Sequence, residues 1–559
     1  MRQTLASAAA RSAIVLCLAL GASGCDRNPA EKTPPATPAA SAAQSATPPA
    51  GPPRRGGSVT IANTEDLVSV NELVAGGTAL SADVAQYALF LRLLQEQPDY
   101  RDHPPTFAPR LAESYAWSPD HLTLTLKLRP NVTWSDGVPV TADDVRFTWQ
   151  AQTNPDIAWE FAYMKEAIRD VEVVDARTVR MHFTRPSFSQ LSDANEGVIL
   201  PKHAWGKLPF KKWRDSADWF RENLVVDGPF TLASWTPQQE IVFARNPKYF
   251  EEDLPRLDRL IVRVVPDASA TLEQLLAGQL DYVPQLAPSA AERVRDSERA
   301  RLLNYPGRQY TFICWNIRRP QFAETDVRRA LTLAIDRQRL IDSLWHGYAV
   351  PSSSPVINGI WAHDPAPPLP YDPAEAERLL TARGWVDRDG DGVREKNGRP
   401  LRFELLINTG NAVRADAAAM IQEQLKRVGV DARPRPIELN TLGARAAKHD
   451  FDAVIQGFGI DTSLDLAYAF ATDSIENGSN WGSYSNPEVD RLLAQIRAQS
   501  EPLHAKPMFL RVQQILARDQ PFTLLWEPQR VDGASRRLQG ASPNALSALF
   551  NVREWWVAD

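Results

Sequence analysis

The chain has 559 residues, 43% of them hydrophobic and 23% charged, with a formal net charge of −6. That length could supply about three or four ordinary domains, and the composition excludes wholesale disorder. The acidic balance argues against a nucleic-acid binder with a broadly basic surface, and three cysteines exclude a disulfide scaffold.

The N-terminus reads as an export signal. Arg2 and Arg11 supply positive charge, and Ser12 to Leu20 is an apolar run. That run is shorter than the roughly 20 residues a transmembrane helix needs. Gly21-Ala22-Ser23-Gly24-Cys25 resembles a bacterial lipobox, which implies removal of residues 1–24 and a lipid on Cys25. An ordinary signal peptide with an incidental Cys25 is the alternative. Residues 26–56 hold eight prolines and eight alanines but no aromatic, Val, Ile or Leu. Such a segment buries too little apolar surface to offset chain entropy, so a disordered tether is expected over 25–56.

From Gly57 onward strands and helices are mixed. Leu122, Leu124, Leu126 and Leu128 alternate with polar residues, as do Val179, Met181 and Phe183. That period of two predicts half-buried strands. Val171 to Val174 and Leu260 to Val265 read as further strands. Tyr310 to Trp315 is an apolar strand-like run in which Cys314 reads as a buried small hydrophobe. Asp372-Pro373 places an N-cap before proline at the first helical position, and Gly384 ends that helix. Met420, Ile421, Gln424, Leu425 and Val428 form a helical stripe closed by Gly429. Asn486-Pro487 opens another helix, with Val489, Leu492, Leu493 and Ile496 on one face. No repeat of 20–50 residues is visible.

Local catalytic motifs are missing. There is no Gly-x-Ser-x-Gly, no His-Glu-x-x-His and no phosphate loop, and the eight histidines are scattered. Catalytic residues, cofactors and a metal are therefore not expected. Asp387, Asp389 and Asp391 occupy positions 1, 3 and 5 of a calcium-type loop, but its twelfth position is Gly398 rather than glutamate. A polar turn that uses Asp and Gly for its backbone is the expected reading.

Five stretches together resemble the family 5 solute-binding proteins, the dipeptide- and oligopeptide-binding receptors of bacterial ABC importers. They are Leu111 to Pro130 continuing through Trp134-Ser-Asp136-Gly137 to Phe147; Asp227-Gly228-Pro229-Phe230 with Asn246-Pro247-Lys-Tyr249-Phe250; Asn316 to Arg337; Tyr371-Asp372-Pro373 with the Asp-rich turn; and Gly482 to Asp490. The resemblance implies an α/β, two-lobed periplasmic-binding-protein-like fold of type II. It would be the large form with an extra subdomain, its lobes joined by two crossovers and closing by a hinge. Lobe 1 is expected over 57–306 plus 518–559, and lobe 2 over 307–517. A membrane-tethered monomer is implied that captures a peptide and delivers it to an ABC permease with its ATPase subunits, with no nucleic acid involved. The same scaffold carrying an oligosaccharide, or a tethered hydrolase or peptide chaperone, are the alternatives.

In such receptors an aspartate after a Gly-aromatic turn seats the ligand's α-ammonium. Gly457-Phe458-Gly459-Ile460-Asp461 ends at that place, which makes Asp461 the leading ligand contact, with Asp465 as substitute. The competing role for Asp461 is a helix N-cap. Phe458 stands where the family usually has Trp. Phe458, Trp315, Asn316, Asn480 and Trp481 are further expected contacts, and Arg414 is expected to meet a ligand carboxylate, with a solvated arginine at a helix start as the alternative. Thr78 and Leu80 are weaker candidates near the first lobe's entrance.

Overall fold

The computed structural model describes residues 51–74 and 79–558. The signal segment, Cys25, most of the expected tether and Thr78 lie outside these residues. Among the described residues, twelve strands join in one sheet. In chain order they are β1 Ser58–Asn63, β2 Phe230–Thr236, β3 Glu240–Arg245, β4 Arg259–Val264, β5 Tyr282–Val283 and β6 Ala300–Pro306. The second six are β7 Gln309–Trp315, β8 Ala349–Pro351, β9 Arg402–Asn408, β10 Asp431–Ile437, β11 Ala453–Gly459 and β12 Phe522–Ser535. Their spatial order is β10-β9-β11-β7-β12-β5-β1-β4-β3-β2, with β6 and β8 also pairing on β12.

The alternation of β7 explains the second lobe. Tyr310, Phe312 and Cys314 enter one hydrophobic core, whereas Ile313 and Trp315 enter another on the opposite face. A strand apolar on both faces must be central and covered twice. Helices do the covering: α1 Arg337–Trp345, α2 Pro373–Ala382, α3 Ala412–Arg427, α4 Pro487–Arg497 and α5 Pro502–Asp519. The expected caps are in place. Asp372 accepts the Glu375 N–H, Asn486 accepts those of Glu488 and Val489, and Gly384 and Gly429 take positive φ. Cys314 is buried and free.

The first lobe packs its own large core, running from Val59 to Val262 and closed by Leu538, Leu549, Val552 and Trp555 from the chain end. A separate antiparallel sheet in the order Ala112–Trp117, Thr123–Leu128, Thr178–Phe183, Ile168–Val173 contains the strands expected from the leucine and valine alternations.

The lobes are joined through two adjacent crossings. β6 pairs with residues 529–535 of β12, while β7 pairs with the Phe522–Trp526 stretch of the same strand. The chain therefore passes outward at Gly307-Arg308 and returns within β12 near Pro528. Here the backbones approach so closely that a Cβ on Gly307 would lie 2.5 Å from the Pro528 carbonyl oxygen. No helix of the described residues is long and apolar enough to cross a membrane.

Candidate ligand-binding site

β11 ends at Gly459, and the Ile460 N–H donates to the Arg308 carbonyl at 2.8 Å. This bond fixes the following turn beside the crossing. Asp461 uses one carboxylate oxygen for that turn. Its Oδ1 accepts the N–H groups of Ser463 at 3.0 Å and Leu464 at 3.2 Å, together with the Ser463 hydroxyl. Its Oδ2 has no hydrogen bond to a described residue. The N-cap-like role and an open binding oxygen therefore coexist in one side chain. Asp461 is solvent-exposed, yet desolvation by the surrounding protein raises its pKa, reinforced by Asp465 and Glu196 and opposed by Ser463 and Arg308. An exposed carboxylate that protein desolvates from several sides lies in a concave surface, here between the two lobes.

Across the cleft stand residues of the first lobe. Tyr163 is 41% exposed, but its hydroxyl pKa is pushed up by desolvation and then by Asp461, Glu196, Asp465 and Asp193. Asp193, bonded by the Ser189 hydroxyl at 2.7 Å, is raised to about 7, mainly by burial. Arg92 pairs with Glu196 at 3.2 Å. Burial alone would depress the Arg92 guanidinium, but Glu196, Tyr87, Glu72 and Glu96 hold it above its ordinary value. Glu96 is raised by burial against Arg308 and a hydrogen bond from Thr462, and its Oε1 is sealed from solvent without a partner. The cleft thus carries more carboxylates than cations and suits a positively charged group.

At the rim the lobes touch. Trp361 N–H donates to Tyr100 O at 2.8 Å, and the Phe188 and Phe509 rings meet edge-on at 5.7 Å. Crossing on one side and rim on the other describe a closed trap.

Of the residues expected to contact ligand, Asp461 keeps an open polar atom in the cleft. The others are spent on the fold. Trp315 is fully buried, donates its indole N–H to Thr523 Oγ1 at 3.0 Å and packs on Phe322 and Phe403. Asn316 gives its amide to the carbonyls of His449 and Phe451, and its Oδ1 accepts the Arg318 N–H. Asn480 is likewise satisfied by Ala471 O, Tyr484 O and Tyr484 N. Trp481 and Phe458 pack on each other within the core. Arg414 is half-buried and bonded to Asn408 Oδ1 and Gln456 Oε1. Asp465 is engaged by Arg497 at 2.7 Å, and Leu80 is buried. In this form Trp315, Asn316 and Asn480 spend their side-chain polar atoms on the fold, and Trp481 is buried against Phe458. Trp315→Ala is expected to lower unfolding stability by about 3–5 kcal/mol, measured by denaturant melting. Unchanged stability with lost ligand binding would return Trp315 to the site.

In the Asp-rich turn, oxygens of Asp387, Asp389 and Glu395 lie within 4.8 Å of one another. Asp387 accepts the Gly390 and Gly392 N–H groups and Glu395 accepts that of Arg388, which is the polar-turn arrangement.

Residues 106–480 match the model of the bacterial extracellular solute-binding proteins, family 5. The chain belongs to that family. This family 5 protein is 28% identical over 515 residues to the oligopeptide-binding protein AppA of Bacillus subtilis (strain 168), covering 90% of the chain and 92% of the relative. It is 26% identical to heme-binding protein A of Haemophilus influenzae, covering 86% and 89%. The structure of the Bacillus subtilis AppA protein in complex with a nonapeptide superposes with a TM-score of 0.75 at 27% identity, covering 91% of this chain and all of that one. The Listeria monocytogenes substrate-binding protein CtaP shares the fold at a TM-score of 0.78 and 21% identity, covering 90% and 100%. The family 5 fold, a two-lobed α/β receptor of type II, is therefore the fold of this chain.

Proposed function

We propose that this protein is the substrate-binding receptor of an ABC importer and captures a peptide between its lobes for delivery to a permease. The observation that carries this reading is Asp461, whose Oδ2 is left open to a cleft rich in carboxylates and sealed at the rim. A peptide α-ammonium is the group such an oxygen suits. The nonapeptide complex of the similar AppA protein supports the same ligand class. The lobes are read as 57–306 plus 529–559 and 307–528, because β12 changes partners near Pro528 rather than at residue 518. Lipid on Cys25 and the Pro/Ala tether would hold a monomeric receptor at the outer face of the cell membrane, with no catalytic role.

The test is a thermal-shift screen of di- to nonapeptides against oligosaccharides. Peptides are expected to raise the midpoint, as a ligand at about 100 Kd adds about 2.7 kcal/mol to native stability. Bound peptide should be recovered intact after long incubation. A response confined to oligosaccharides, or cleaved peptide, would overturn the reading.

A further inference from the structure

The second lobe contains a cavity whose lining includes none of the cleft residues named above. It exists because β8 stops pairing after Pro351 while β12 continues back to Phe522. The edge at Phe522 and Leu524 therefore faces a space of about 70 Å³, bounded also by Arg337, Ser352, Ser353 and Gln513. That is room for several waters or one small oxyanion.

Arg337 is the first residue of α1, directly after its N-cap Asp336, whose carboxylate is occupied by the Arg339 N–H at 3.0 Å. Arg337 is only 6% exposed, and its guanidinium makes no hydrogen bond or ion pair with a described residue. Burial lowers its pKa to about 10, opposed by Asp336, so it remains cationic at neutral pH. Its neighbour Arg328 shows how this fold satisfies a buried guanidinium. Arg328 donates to the carbonyls of Phe322, Ala323, Asp519 and Gln520. Nothing equivalent serves Arg337. Most other polar lining atoms are spent: Ser352 Oγ bonds Glu527, the Thr332 hydroxyl bonds Arg328 O and Thr523 Oγ1, and Gln513 bonds Ser354, Asp364, Ala362 and Phe509, whereas Gln520 Oε1 is a buried acceptor without a partner among the described residues. The half-buried Ser353 has no hydrogen bond to a described residue through its hydroxyl, which leaves it as a second donor beside the guanidinium.

We propose that this cavity is a binding site for a small oxyanion, held by the Arg337 guanidinium and the Ser353 hydroxyl. Asp336 acts on Arg337 through its charge but makes no hydrogen bond to the guanidinium, so an oxyanion bonding it directly would satisfy the buried donors. The inference is independent of what occupies the Asp461 cleft.

The test uses the full chain without peptide, titrated with inorganic phosphate, sulfate and acetate against chloride at equal ionic strength. A saturable rise in thermal midpoint is expected with at least one oxyanion and not with chloride. The phosphate and sulfate arms against the acetate arm tell a tetrahedral oxyanion from a carboxylate. Arg337→Met keeps the apolar stem and removes the donors. It should melt higher than the parent in chloride, lose the oxyanion response at least tenfold, and keep peptide affinity within twofold. Ser353→Leu, which fills the cavity, should lose the response too and serves if Arg337→Met does not fold. No saturable response in the parent chain, or the same response in both variants, would overturn the proposal.

Discussion

Asp461→Ala should weaken peptide binding by about 2–5 kcal/mol, roughly 30-fold to several thousand-fold in Kd. The loss would come from leaving a desolvated ligand ammonium without its carboxylate once the rim at Trp361 and Phe188 has closed over it. Asp461→Asn can still accept the turn's N–H groups, so it separates charge from turn geometry. The Asn variant should bind almost as poorly as Ala and melt like the parent. Titration calorimetry that found parental affinity in Asp461→Asn would remove the charge from the mechanism.

The same carboxylate sets the pH dependence. Burial raises the pKa of free Asp461, and the nearby Asp193 titrates at about 7. An ammonium ligand lowers both, so the unbound protein carries more protons than the complex. Affinity is then full above the raised free values and falls as pH drops through them. Binding near neutral pH should release protons, visible as a calorimetric enthalpy that changes with the ionisation enthalpy of the buffer. Proton uptake would contradict the assignment.

Gly307→Ala should act on closure instead of contact. Its new Cβ would lie 2.5 Å from the Pro528 carbonyl oxygen, a backbone atom, and an alanine methyl has no rotamer that moves it away. The strain must be relieved by parting the two crossing strands, which the proposed capture between the lobes would use as its hinge. Overpacking of this kind costs about 1–3 kcal/mol. It falls on the closed state, so ligand affinity should drop about 5- to 150-fold. Small-angle scattering of the ligand-free chain should show a larger radius of gyration than the parent. Parental affinity and radius together would show that the hinge lies elsewhere.

Much of the fold was legible because its signals are local. Asp372-Pro373 and Asn486-Pro487 announce helix starts by capping chemistry, and the leucine alternation at 122–128 announces a half-buried strand. Asp461 was legible through a short turn that resembles the family. The facing wall was not, since Glu96, Tyr163, Glu196 and Arg308 come from four separated segments that only tertiary packing brings near Asp461. Trp315 and Asn316 serve the fold for a reason readable in the sequence. From Tyr310 to Trp315 every position of β7 but Thr311 is apolar, a pattern that marks a strand covered on both faces.

β12 bears on how the protein comes into being. Its second half lies inside the first lobe's sheet, and Arg537 reaches back 479 residues to the Ser58 carbonyl. Ala548 donates to Asp83 over 465 residues. Chains usually fold from the N-terminus as they emerge, but this first lobe cannot complete its core until its last residues are present. The second lobe, continuous in sequence up to β12, can mature earlier. The lobe that begins first is finished last, so an exported chain stays incomplete, and threadable, until its final segment has crossed.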